Sequence, residues 1–245
     1  MRGLLPQAVA AVDLVEAYAI PPDAGGGTAF VRCNMITSLD GAISVNGRSG
    51  TLGGPADRRV FQTLRSLTDV VLVGAGTMRS ENYGPARFDD ELREQRLHRG
   101  QKPVPPIAVV TASANLDWSS PFFTEAEERP IVFTSRISEK GARERAAEVA
   151  DVVVSDDDRV DPMAAIDYLR SRGYGSVLLE GGPRLNADVT DAGALDELCL
   201  TLSPRLVAGD GPRVLAGAEL STPLGLKIVH LLEEDGFLFY RLAVR

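Results

Sequence analysis

The stretch "SVLLEGGPRLNADVTDAG", residues 176–193, joins a short apolar run to a helical pattern through the acid Glu180 and two glycines. The apolar run predicts a buried strand, Pro183 suits the first turn of a helix, and Gly193 can end that helix. Glycines at such a junction allow backbone N–H groups to approach an anion, because no Cβ intrudes. A tight turn whose glycines serve packing alone is an equal alternative. The stretch fits neither of the common fingerprints G-x-G-x-x-G and G-x-x-x-x-G-K-[ST].

A second junction of the same kind occurs earlier, in "DVVLVGAGTMRSEN", residues 69–82. Here an apolar run leads into Gly74, Gly76 and Thr77 and then into a helical pattern. In open α/β sheets, ligands bind in the crevice beyond the carboxyl ends of the strands. Two such strand ends together suit a long, phosphate-bearing cofactor.

Short apolar runs of this type recur along the chain and alternate with helical patterns. They cover residues 30–36, 69–74, 106–111, 130–134, 151–155, 176–180 and 197–204. Near-continuous apolar runs predict strands that are buried on both faces. We therefore expect an α/β fold: a single three-layer domain with a mixed, mostly parallel sheet and helices on both faces. The last twenty residues predict an antiparallel hairpin that turns at residues 234–236.

Four further helical patterns lie between these runs. Residues 55–68 place Val60, Leu64 and Leu67 on one face, and a pattern over 138–150 has Ser138 as its expected cap. A third pattern begins with Asp161 as N-cap and Pro162 at the first helical position, and ends before Gly173. The charged segment 84–105 contains a possible short helix around 89–99 and is otherwise expected to be solvated.

Composition restricts the class of function. The 245-residue chain has a net charge of -8, which argues against a broad surface for nucleic acid or an anionic membrane. Its two cysteines, Cys33 and Cys199, lie in apolar runs and are expected to be buried free thiols, as suits a cytoplasmic protein. The two histidines, His98 and His230, stand apart from other ligand-type residues, so we expect no metal site. The remaining candidates for a functional site are carboxylates, glycine turns and arginines. These suit an enzyme in which a bound cofactor carries out the difficult chemical step.

A polar cluster follows the first apolar run, in "NMITSLDGAISVNGRSGTLGGPADRR", residues 34–59. The pair Asn46-Gly47 predicts a tight hairpin turn. Thr37, Asp40 and Ser49 lie around it, as does Ser38. A plain surface hairpin accounts for these residues equally well.

Taken together, "SLDG" (38–41), a G-x-S (47–49), an arginine-containing helix, "VLVGAGT" (71–77) and "EGG" (180–182) resemble the reductase domain of bacterial riboflavin biosynthesis. In that family the domain is usually the C-terminal half of a bifunctional deaminase–reductase. The resemblance implies a dihydrofolate-reductase-like fold, use of NADPH and a homodimer. It covers residues 28–245 as the reductase domain and leaves residues 1–27 as an N-terminal extension.

The resemblance also implies roles for individual residues. The cofactor-binding positions are Ile36, Thr37, Gly74, Thr77, Glu81, Gly181, Gly182, Pro183, Arg184 and Leu185. The substrate-binding positions are Ser49, Arg65, Arg87 and Glu180, with the arginines on the ribose phosphate, and the candidates for the reactive end are Asp40 and Glu180. Alternatives stay open: Asp40 can cap its turn, Arg65 and Arg87 can be surface arginines, and Glu180 can simply finish a strand.

Two departures from the family pattern concern the substrate. Asn34 stands where the family often has lysine, and "ENYGPAR" (81–87) replaces a segment that contains "DNP". The leading hypothesis is an NADPH-dependent reductase of 5-amino-6-(5-phosphoribosylamino)uracil or a close relative, with hydride transfer to the ribose carbon. A reductase of dihydrofolate or a pterin is the first alternative, and a non-catalytic nucleotide-binding protein is the second.

Overall fold

The computed structural model describes residues 1–21, 24, 27, 29–220 and 222–245. Within these residues the strands are β1 (Arg2–Leu5), β2 (Phe30–Thr37), β3 (Val70–Gly74), β4 (Ile107–Val110), β5 (Ile131–Ser135), β6 (Asp151–Ser155), β7 (Ser176–Leu179), β8 (Glu197–Leu202), β9 (Leu226–Glu234) and β10 (Phe237–Val244). The helices are α1 (Leu14–Ala17), α2 (Pro55–Leu67), α3 (Ala75–Ser80), α4 (Asp90–His98), α5 (Pro121–Thr124), α6 (Lys140–Val149), α7 (Pro162–Ser171) and α8 (Pro183–Asp191).

All ten strands form one mixed sheet in the order β1-β9-β10-β8-β2-β7-β3-β4-β5-β6. The strands from β8 to β6 in that order are parallel to one another. The strands β10, β9 and β1 add antiparallel pairs at the other edge. Each predicted apolar run is a strand, and the central ones are buried on both faces, as the sequence pattern predicted.

Helices cover both faces of this sheet, which gives the three expected layers. On β3, Val70 and Leu72 pack with residues of α7 and α8 in one core cluster. Val71 and Val73 point the other way and pack with α3 and α5, while α2 covers the neighbouring strands of that same face. Alternate residues of a strand point to opposite faces, so an apolar run at β3 serves two cores. The predicted α/β, dihydrofolate-reductase-like architecture is confirmed.

The ends of most elements follow from their residues. The terminal hairpin turns at Asp235 and Gly236, both with positive φ, and Gly173 follows α7 with a φ of +90°. Asp161 caps α7 by accepting a hydrogen bond from the Met163 N–H. The prediction that Ser138 caps α6 is wrong, because its hydroxyl donates to the Ser135 carbonyl and α6 begins only after Glu139.

The N-terminal segment takes part in the sheet. Strand β1 pairs with β9 and forms one edge of the sheet, and Asp13 caps the short helix α1. Sequence analysis did not identify this strand. The boundary between an extension and the reductase domain at residue 28 stays a prediction, and it falls at the gaps in the described residues.

The charged segment 84–105 is anchored rather than wholly solvated. It forms the predicted helix as α4, and Arg96 of this helix is completely buried. The Arg96 guanidinium donates to the carbonyls of Ser66 and Thr68 at the C-terminal end of α2, and to that of Lys102. Burial lowers the pKa of Arg96 to about 10. A buried cation therefore completes the carbonyl hydrogen bonds that the last turn of α2 leaves open.

We expect Arg96→Met to lower the free energy of unfolding by about 1.5–3 kcal/mol, because the carbonyls at the end of α2 lose charged donors. Urea denaturation measures the change. Arg93→Met on the same helix is the matched control, since Arg93 makes an exposed ion pair with Glu127 and should change stability little. Equal effects of the two variants would contradict this role for Arg96.

Candidate active site

Two strand-to-helix turns meet at the carboxyl edge of the sheet. The Gly74 N–H at the end of β3 donates to the Gly181 carbonyl after β7 at 2.8 Å. A Cβ on Gly182 would lie 2.8 Å from the Thr77 hydroxyl oxygen, and Gly181 has a φ of +90°. The peptide bond between the two glycines is cis. These glycines therefore permit close contact between the two turns themselves, as well as between the turns and a ligand.

A cleft of about 450 Å³ opens on one side of this junction. Three acids line it, Asp57, Glu81 and Glu180, together with the aromatic side chains of Phe61 and Tyr83. No lysine or arginine is among the described residues that line it. We call this region the acidic half of the cleft.

A second region of about 710 Å³ lies on the other side of the junction. Arg79, Arg159 and Arg184 line it, with Asp188 as the single acid among its described lining residues, so we call it the basic half. The first turn of α8 borders this half. The N-cap of α8 is Gly182, which has no side chain to accept a hydrogen bond from the N–H groups of that turn. The two halves share the lining residues Thr77, Ser80, Gly182, Pro183 and Pro212, so they form one continuous cleft. Such a cleft suits an elongated ligand with phosphates at one end.

A buried ion pair lies at the base of the acidic half. The Arg65 Nε and Nη2 donate to the two carboxylate oxygens of Glu180 at 2.7 and 2.6 Å, and the Tyr83 hydroxyl donates to Glu180 at 2.8 Å. The Arg65 guanidinium also stacks over Phe61, 4.3 Å from the ring centre. Burial opposes the charge on Arg65, but Glu180 outweighs it and raises the pKa of the guanidinium.

This geometry changes the expectation for Arg65. Arg65 is not among the described residues that line the cleft, and its planar fork is occupied by Glu180. It is therefore not free to clamp a substrate phosphate in this arrangement. Glu180 lines the cleft while its oxygens are held by protein donors, so two predicted substrate residues contact each other.

The other predicted substrate residues separate. Ser49 lines the acidic half, and its backbone N–H donates to the Glu81 carboxylate at 2.7 Å. Arg87 lies elsewhere, exposed and paired with Glu125, and it lines neither half. This placement argues against the predicted contact of Arg87 with the ribose phosphate.

Nine of the ten predicted cofactor residues border the cleft. Ile36, Glu81 and Gly181 line the acidic half, Gly74, Arg184 and Leu185 line the basic half, and Thr77, Gly182 and Pro183 line both. Thr37 is the exception, since it is buried and its hydroxyl donates to the Ser38 carbonyl.

Asp40 also lies outside both halves. Its carboxylate accepts hydrogen bonds from the Ser38 hydroxyl and from the backbone N–H groups of Val207 and Ala208. These bonds, the one from Ser38 first, lower the pKa of Asp40 to about 2. Asp40 thus fastens two loops together, which argues against the predicted role at the reactive end and favours the turn-capping alternative.

Sequence reasoning missed several lining residues, above all Asp57 and Phe61. Their signal lay in α2, where Asp57 precedes Val60 by three residues and Leu64 by seven. That spacing places an acid on the buried stripe of an amphipathic helix, which is unusual for a residue without a function. The basic residues Arg79 and Arg159 gave no comparable signal.

Within the part of the chain that the structure describes, no group of three or more His, Cys, Asp or Glu side chains could hold a metal ion. No described helix is both long and apolar enough to cross a membrane.

We expect Arg65→Met to lower the free energy of unfolding by about 3–5 kcal/mol, because it leaves the buried Glu180 carboxylate without its cation. Adding Glu180→Gln should recover part of the loss. Arg59→Met, on the exposed side of the same helix, is the control. Urea denaturation of these variants decides between a structural ion pair and a free phosphate clamp, whose removal would leave stability unchanged.

The chain is similar to known proteins over most of its length. The model of the RibD C-terminal domain matches residues 29–235. The 2,5-diamino-6-ribosylamino-4(3H)-pyrimidinone 5′-phosphate reductase of Methanothermobacter thermautotrophicus is 30% identical over 78% of this chain and 84% of its own. The protein of that same name from Archaeoglobus fulgidus is 29% identical over 77% and 86%. A crystal structure of a pyrimidine reductase-like protein from Corynebacterium diphtheriae has a TM-score of 0.85 and 25% identity, covering 96% of this chain and 99% of that one. Matched in sequence from residue 29 to residue 235, the chain belongs to the RibD C-terminal domain family.

Proposed function

We propose that this protein is an NADPH-dependent reductase of a ribosylamino-pyrimidine 5′-phosphate in riboflavin biosynthesis. The observation that carries the proposal is the continuous cleft with an acidic half and a basic half at the carboxyl ends of β3 and β7. Two relatives are named for the reduction of such a pyrimidine. The substrate of the proposed reaction is 2,5-diamino-6-ribosylamino-4(3H)-pyrimidinone 5′-phosphate or 5-amino-6-(5-phosphoribosylamino)uracil.

The residues of the basic half fit the phosphates of NADPH. Arg79, Arg159 and Arg184 supply cations, and Gly182 leaves room beside the first turn of α8. Arg159 makes an exposed ion pair with Asp188 at 3.2 Å, which a phosphate would displace at little cost. Ile36, Thr77 and Gly181 would then border the nicotinamide in the acidic half. When bound, NADPH supplies the hydride; the protein holds the substrate carbon next to it, and such alignment can contribute about 7–11 kcal/mol.

The substrate phosphate needs a different partner from the one expected from the sequence. Arg65 is engaged by Glu180, and Arg87 lies away from the cleft. Arg48 and Arg58 are exposed, and each adjoins residues that line the acidic half. We therefore propose that the phosphate meets these two arginines at the rim.

A reductase of dihydrofolate or a pterin is a second candidate. The observations in its favour are the Asp57 carboxyl in the acidic half and the lack of a cation among the described residues that line it. A pterin ring would pair with a carboxylate and would need no phosphate clamp.

The decisive experiment follows NADPH oxidation at 340 nm with each ribosylamino-pyrimidine phosphate and with dihydrofolate. We expect turnover with a pyrimidine phosphate and a ribitylamino product by mass spectrometry. Turnover with dihydrofolate alone would favour the second candidate, and NADPH binding without turnover of any substrate would favour a non-catalytic nucleotide-binding protein.

The basic half also predicts cofactor preference. NADPH should bind more tightly than NADH, and Arg159→Ala should weaken NADPH binding about 10- to 100-fold, the equivalent of losing a charge-assisted pair of 1.5–3 kcal/mol. Binding of NADH should change little. Titration of intrinsic fluorescence measures both constants, with the exposed Arg170→Ala as control. Equal affinities for the two nucleotides in the parent protein would contradict the assignment.

We also propose a homodimer in the cytoplasm, as the family resemblance implies. The part of β9 that extends beyond β1 exposes Ile228 and Val229, which offers apolar surface for a second copy. Sedimentation showing a single 26.2 kDa particle at micromolar concentration would contradict the dimer.

A further inference from the structure

Asp57 differs from the other acids of the acidic half. Both Glu180 oxygens accept from Arg65, with Tyr83 as a further donor, and Glu81 accepts the Ser49 N–H. Asp57 makes no ion pair with any described residue, although it is partly buried and lines the same cleft. Its hydrogen-bond partner is the neutral Thr201 hydroxyl, so it is the acid of this half whose carboxyl is held by neither a cation nor a backbone N–H.

The surroundings of Asp57 favour a protonated carboxyl. Burial raises its pKa, while the Thr201 hydroxyl from β8 and Arg58 on its own helix lower it by less. Burial chiefly raises the pKa of the Tyr18 hydroxyl after α1, and the nearby Asp57 carboxyl adds a smaller contribution in the same direction.

We propose that Asp57 is the general acid of the reaction, which protonates the ribose ring oxygen as that oxygen leaves the carbon. This inference rests on the proposed function, because it requires a ribosylamino substrate. The partners of the three carboxyls in the acidic half carry it: Glu180 is engaged by a cation, Glu81 accepts a backbone N–H, and Asp57 has only the neutral Thr201 hydroxyl as its hydrogen-bond partner. When two carboxyl groups of a site have environments that separate their pKa values, the more protonated one serves as the acid.

The proposed reduction transfers a hydride to carbon and a proton to oxygen. The ribose C1′ gains a hydride from NADPH, and the bond between C1′ and the ring oxygen breaks. The ring oxygen keeps that electron pair and takes the proton of Asp57, which gives a free hydroxyl and an open ribityl chain. The Asp57 carboxylate then regains a proton from solvent. One hydride and one proton are thus added, as the reduction requires.

The role of Asp57 as a general acid fixes the direction in which kcat/KM changes with pH. The active form of Asp57 is protonated, so kcat/KM for the parent protein should fall as pH rises above the pKa of this group. A carboxylate that only binds the pyrimidine must be ionised, and it would produce the opposite limb, with activity lost as pH falls.

The test compares Asp57→Asn with the parent protein across pH. We expect kcat/KM to fall about 10²- to 10⁴-fold and the alkaline limb to disappear, with Kd for NADPH and the urea midpoint nearly unchanged. Asp90→Asn is the matched control, since Asp90 is also a first-turn acid, on α4 and away from the cleft. Retention of more than about a tenth of the activity, or an acidic limb in the parent protein, would overturn the proposal.

A second measurement does not depend on turnover. Carboxyl ¹³C NMR, with Asp57→Asn used for assignment, gives the pKa of Asp57 in the free protein. We expect a value above the ordinary one of about 3.9, and a value at or below it would overturn the proposal. Failure of the proposed function is a different result, in which the parent protein itself oxidises no NADPH with either pyrimidine phosphate.

Discussion

The buried ion pair between Arg65 and Glu180 is the contact on which the geometry of the cleft depends. It ties α2 to the turn that follows β7, and the Tyr83 hydroxyl adds the segment after α3. Because Glu180 is nearly inaccessible, the pair holds these three parts in a fixed relation at the base of the acidic half. Asp57 and Phe61 precede Arg65 by eight and four residues, so one face of α2 presents an acid, an aromatic ring and the ion pair in turn.

The second constraint is the direct contact between the two strand-to-helix turns. The hydrogen bond from Gly74 to Gly181 and the lack of a Cβ on Gly182 bring the ends of β3 and β7 together. On one side of this contact lie Arg79, Arg159 and Arg184, with a single acid, and on the other side lie three acids and no described cation. The two halves therefore differ in the charge of the side chains that line them.

Much of the fold could be predicted from the sequence, because the spacing of apolar residues in strands and helices is a local property. The runs that became β2 to β8, the final hairpin and the two glycine turns all have such signals. The contacts of long side chains have no local signal in the sequence. Arg65 pairs with Glu180, which is 115 residues away in the chain. Arg96 belongs to a charged segment that the sequence predicts to be solvated, yet its side chain is buried and caps α2. Strand β1 is too short to identify alone and is defined by its pairing with β9. The two glycine turns were thus easier to locate from the sequence than the side-chain contacts expected around a substrate, since local backbone patterns mark the former and distant side chains form the latter.

We propose that one cleft binds NADPH in a defined orientation, and a crystal structure of the complex is the most direct test. We expect the 2′-phosphate within about 3 Å of a guanidinium of Arg79, Arg159 or Arg184, and the nicotinamide beside Ile36 and Gly181 in the acidic half. A nicotinamide among the three arginines, or NADPH bound outside this cleft, would contradict it.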